Sequence, residues 1–118
     1  MYDFKYKNIN EIKKNINDYL IFVKRLLPRW ANGMPDSEVL TLFESLKKIK
    51  QKPIIVETGI GASTLAFVLM SILKNGKVFS WDTNGSKGFF LNSVMNESIG
   101  KTFGVNINKY WTFIASSS

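Results

Sequence analysis

The segment that most limits how this chain can fold is Pro53 to Thr64, PIIVETGIGAST. Three β-branched residues, Ile54, Ile55 and Val56, run without a polar break, the pattern of a strand buried on both faces in a parallel sheet. Gly59 and Gly61 then supply a tight turn, and Ser63 and Thr64 open a helix. A strand, a glycine turn and a helix start leave unpaired N–H groups pointing at one spot, which suits an anionic or nucleotide-type ligand. A second apolar run, VFSW, ends at Asp82, 21 residues after Gly61. There a carboxylate can accept the two hydroxyl hydrogens of a ribose.

Around this segment the pattern alternates between strands and helices. Leu65, Val68, Leu69 and Ile72 mark a helix that stops at Asn75-Gly76. A helix from about Ser86 to Ile99 carries Phe89, Phe90, Val94 and Met95, an irregular stretch covers 100–108, and YWTFIA reads as a third strand. Strand, helix, strand, helix, strand predicts a parallel sheet with right-handed crossovers. Upstream, Ile9, Ile12, Ile16, Tyr19, Leu20, Val23, Leu26 and Leu27 recur every three or four residues, predicting one helix over about 8–27 that Pro28 ends. A second, capped by Asp36 or Ser37 and running to about Lys50, buries Val39, Leu40, Phe43, Leu46 and Ile49. The expectation is an α/β chain of one domain. Residues 1–52 form a helical segment packed on a partial cofactor-binding unit, 53–118.

Charge and rare residues narrow the chemistry. The 118-residue chain contains no histidine and no cysteine, so imidazole and thiolate catalysis and disulfides are excluded. Its net charge of +7 is concentrated upstream, where residues 1–52 hold 11 Lys/Arg against 6 Asp/Glu. Most of these lysines lie along helix faces and read as a solvated surface, with a nucleic-acid or anionic partner as the rival explanation. No apolar run reaches the length of a membrane span, and the N-terminus has no signal-peptide pattern, so the expected location is cytoplasmic.

The motif separates cofactors. A phosphate-cradling GxxxxGK[ST] loop needs a lysine that is missing here, and a dinucleotide GxGxxG needs glycine where Thr64 stands. VETGIGAST followed by VFSWD resembles motif I and the acidic strand end of class I S-adenosylmethionine-dependent methyltransferases, over roughly residues 53–82. The resemblance implies a Rossmann-like three-layer fold, of which this chain holds a partial sheet of about three parallel strands after two N-terminal helices. It implies S-adenosylmethionine as cofactor, with Glu57 helping to place the methionyl amino group. Thr58, Gly59, Gly61, Ser63 and Thr64 would line the loop, and Asp82 would accept from the ribose. The family often has a third glycine where Ser63 stands.

In that family the fourth strand pairs with the first and carries much of the acceptor site, and no counterpart follows in this sequence. The resemblance therefore implies the cofactor-binding half alone, completed by further chain or by a homo-oligomer, with no catalytic residue nominated. A non-catalytic oligomerising or nucleic-acid-associated module and an NAD-binding Rossmann fragment are the alternatives. Trp81 has two readings, a wall for the adenine and, favoured by strand alternation that turns it away from Asp82, a core residue. Tyr110, Trp111 and Ser116 lie near the third strand's end, where that family often builds its adenine pocket, and read first as core or surface residues.

Overall fold

A computed structural model describes residues 4–116. Three strands, β1 (Ile54–Thr58), β2 (Lys77–Asp82) and β3 (Trp111–Ala115), form one parallel sheet in the order β1-β2-β3. This is the α/β arrangement with a partial parallel sheet expected of the sequence.

The helical elements depart from the expected spans in instructive ways. The first predicted helix is two, α1 (Ile9–Lys14) and α2 (Ile16–Lys24), broken at Asn15. The Asn15 side-chain amide donates to the Glu11 carbonyl at 2.9 Å, a local bond that competes with helix continuation. The apolar stripe survives the break, and Ile12, Ile16, Tyr19, Leu20 and Val23 are all buried.

The next helix, α3 (Asp36–Lys47), stops before Lys50. The Lys74 ammonium donates to the Leu46 carbonyl at 3.1 Å and the Lys47 carbonyl at 2.7 Å, and also to that of Ile49, closing the helix end. Ile49, expected on the buried face, lies beyond that end and is exposed.

The core helix is α4 (Ala62–Lys74), with Leu65, Ala66, Val68 and Leu69 fully buried. It packs on β1 and β2, while α2 and α3 pack on it in turn. Asn75 ends it in the left-handed conformation, φ 57°.

Beyond β2, α5 (Gly85–Met95) continues through a π-helical stretch, Asn96–Gly100, into the short α6 (Lys101–Phe103). Asn84 caps α5 by accepting the Ser86 N–H at 3.0 Å. Helix therefore replaces the first part of the stretch expected to be irregular. The buried face of α5 also differs from the expected one. Gly88, Leu91, Val94 and Met95 face inward, whereas Phe89 and Phe90 are 83% and 41% exposed. Gly88 lies against the Phe113 ring, where a Cβ would collide. Packing at the glycine turns the two phenylalanines outward.

The expectation that β1 is buried on both faces is overturned. Ile54 and Val56 are 77% and 64% exposed. The edge position of β1 agrees with the sequence reading, in which PIIV has no fourth strand beside it. Paired residues of parallel strands share a face, so Glu57, Ser80 and Phe113 lie together, as do Val56, Phe79 and Thr112. The helices cover the first set: Ser63 and Thr64 of α4 meet Glu57, and Gly88 of α5 meets Phe113. On the second face no described helix covers Ile54 and Val56.

The ladder phase at β1 follows from its two ends. The Lys77 N–H donates to the Pro53 carbonyl at 2.9 Å, and the Gly59 N–H to the Trp81 carbonyl at 2.6 Å. Residues 53, 55, 57 and 59 thus face β2, and Ile54, Val56 and Thr58 turn their N–H and C=O groups to the open edge.

Candidate functional site

The glycine turn after β1 and the loop after β2 meet at the C-terminal edge of the sheet, where ligands of open parallel sheets bind. Gly59 has φ +79°, a backbone setting that suits glycine and strains other residues. It reverses the chain so that the Ile60 N–H points across to β2, where Asp82 Oδ2 accepts it at 3.3 Å. The other carboxylate oxygen, Oδ1, accepts the Asn84 N–H at 2.9 Å. Each oxygen keeps acceptor capacity, since an ionised carboxylate offers about four lone-pair directions.

A cavity of about 440 Å³ opens here, lined by Thr58, Gly59, Trp81, Asp82, Thr83 and Ser116. Trp81, expected in the core, is half-buried and shares this cavity with Asp82. Ser116 is joined to the loop through its N–H, which donates to the Asp82 carbonyl at 3.0 Å. An aromatic wall, a free-edged carboxylate and small hydroxyls are suitable partners for a nucleoside: the ring stacks, and the carboxylate accepts ribose hydroxyl hydrogens.

Glu57 has a different surrounding. It sits on the helix-covered face, and its Oε1 accepts the Thr64 hydroxyl at 2.5 Å and the Ser80 hydroxyl at 2.7 Å. Its Oε2 accepts Ser63 Oγ at 3.2 Å. The Trp111 indole N–H donates to Ser80 Oγ at 2.8 Å, and the Gly61 N–H donates to Thr64 Oγ1 at 3.1 Å. One carboxylate thereby ties all three strands to the start of α4. Burial pushes the Glu57 carboxyl above the usual carboxylate range, and the hydroxyl donors oppose that shift only in part.

The predicted site residues therefore divide into two groups. Thr58, Gly59 and Asp82 line the cavity, while Glu57, Ser63 and Thr64 form the hydroxyl cluster behind it, and Gly61 links the two as the residue before α4. Sequence reasoning missed Ser80 and Trp111 as members of that cluster. Ser80, as the lone hydroxyl inside the apolar run VFSW, is the signal that a polar partner lies beneath the sheet. Trp111 and Tyr110 are both buried. Thr83 was also missed, and only its position one residue after Asp82 points to it.

Among the described residues no group of three or more His, Cys, Asp or Glu side chains could hold a metal ion. Among them, too, no helix is long and apolar enough to cross a membrane. Compared with known proteins, the chain matches no family model and no curated protein sequence.

Proposed function

We propose that this chain binds S-adenosylmethionine at the C-terminal ends of β1 and β2, as a methyltransferase-like α/β protein. The observation that carries the reading is the contact between Asp82 and the glycine turn. The carboxylate is held against Ile60 at the mouth of a nucleoside-sized cavity beside Trp81. In this reading Asp82 accepts the ribose hydroxyls, Trp81 flanks the adenine, and Gly59 and Thr58 let the ligand approach the backbone. Bound there, the cofactor would supply an activated methyl group on a sulfonium. Methyl transfer then asks the protein mainly for positioning. Glu57 acts through the turn: with both oxygens occupied by hydroxyls, it holds Ser63 and Thr64 in place behind the ligand.

A nicotinamide dinucleotide is the weaker alternative. Its fingerprint uses glycine at the position of Thr64 for close helix–strand packing, whereas Thr64 is fully buried and its hydroxyl is engaged with Glu57 and Gly61. Calorimetric titration with S-adenosylmethionine, S-adenosylhomocysteine and NAD tests the reading. Heat from the two sulfur ligands and none from NAD is expected. A folded protein that takes up neither sulfur ligand at millimolar concentration refutes it.

A further inference from the structure

Beside the glycine turn lies an aromatic and cationic surface that the cofactor reading does not use. Trp30 is 47% exposed and stacks at a tilt on Phe90, with ring centroids 5.6 Å apart. The Lys87 ammonium, one helical turn before Phe90 on α5, stands 5.5 Å from the centre of the Trp30 ring. Arg29, the residue before Trp30, is exposed. Neither Arg29 nor Lys87 belongs to an ion pair found among the described residues. Asp36, the acid nearest to Trp30 in sequence, is held by Lys24 at 2.7 Å and Arg25 at 3.5 Å. The surface adjoins the site: a Cβ at Gly61 would stand 3.3 Å from the carbonyl oxygen of Ala31, the residue after Trp30.

We propose that Trp30, Phe90, Lys87 and Arg29 form a stacking platform for single-stranded nucleic acid. Two half-exposed rings offer π-surface that an unpaired base can stack on, with Lys87 at the Trp30 ring and Arg29 exposed at the preceding residue to meet phosphates. Charge complementarity selects an anionic occupant, and the rings select one with exposed planar groups. A duplex hides its base faces within the stack, and an acidic peptide has no need of the rings. Because Gly88 sets the rotation of α5, the outward position of Phe90 is built into the packing on Phe113. The platform needs no cofactor, so it goes beyond the proposed function and stands or falls separately from it.

Fluorescence anisotropy with labelled oligo(U) and oligo(dT) of about 12 nucleotides, within the range a single-strand groove covers, tests this on the whole chain. Both are expected to bind, and more tightly than a duplex of equal length. The logarithm of the binding constant should fall with the logarithm of salt at a slope of about −1.4, for two phosphates neutralised. Trp30→Ala should weaken binding by about 5- to 150-fold, the range for losing one stacked base, while Trp30→Phe keeps most of it. Lys87→Gln should flatten the salt slope and serves as the second variant, with circular dichroism confirming the fold of each. The proposal is overturned by no binding at low salt, by equal binding of the duplex, by full competition from polyglutamate, or by a folded Trp30→Ala protein that binds like the wild type.

Discussion

Asp82 Oδ2 accepts the Ile60 N–H at 3.3 Å, so the acid that ends β2 holds the glycine turn that follows β1. Two residues 22 positions apart in sequence become one unit. Asp82→Ala removes the acceptor proposed for the ribose, and S-adenosylmethionine affinity is expected to drop by roughly 1.5–3 kcal/mol, the worth of hydrogen bonds to a charged group. Calorimetry on wild type and variant measures it. An unchanged affinity takes Asp82 out of the binding site.

Glu57 should set a pH dependence of stability. Its folded carboxyl lies above the ordinary value of 4.5 because burial disfavours the charge. The folded state then holds the proton more tightly than the unfolded chain. The favourable contribution is present below 4.5 and is lost as pH rises through the folded value. Compared with Glu57→Gln, which does not titrate, the wild type should lose stability as pH is raised from 4 toward neutrality. Denaturant midpoints of both proteins across this window check it, and parallel pH profiles would show that Glu57 does not titrate in this way.

Tyr19 is buried and donates its hydroxyl to Thr102 Oγ1 at 2.8 Å, and burial pushes its phenol up to about 12. Ultraviolet titration should reveal a tyrosine that ionises near that pH instead of near 10. Since the unfolded phenol ionises first, stability conferred by neutral Tyr19 is complete below pH 10 and declines through about 12. In Tyr19→Phe the late ionisation should vanish. Its persistence would assign it to another tyrosine.

The open edge of β1 predicts a two-residue alternation in amide exchange. Ile54, Val56 and Thr58, with N–H groups turned outward, should exchange much faster than Ile55 and Glu57, which face β2. Val56→Thr, at a position 64% exposed, is expected to change stability by less than about 0.5 kcal/mol. Uniform protection along the strand, read by exchange and mass spectrometry or NMR, would show that something covers the edge in solution.

The sequence by itself determined the elements whose signals are local. A β-branched run, two glycines, hydroxyls at a helix start and Asn-Gly at its end place β1, the turn and α4 to within a residue or two, because each depends on neighbours a few positions away. The acid at the end of β2 and the parallel strand order were legible for the same reason. Tertiary structure decided what each side chain meets. Hydrophobicity at Ile54 and Val56 could not say that the second sheet face stays uncovered by the described helices. The periodicity of α5 could not show that Gly88, pressed on Phe113, rotates Phe89 and Phe90 outward. Glu57 was legible as a polar residue at a strand end, but not its hydroxyl cluster with Ser80, across the sheet, and Trp111 behind it. Such contacts join residues 23 to 31 positions apart, and their partners are chosen by packing, which local pattern does not encode.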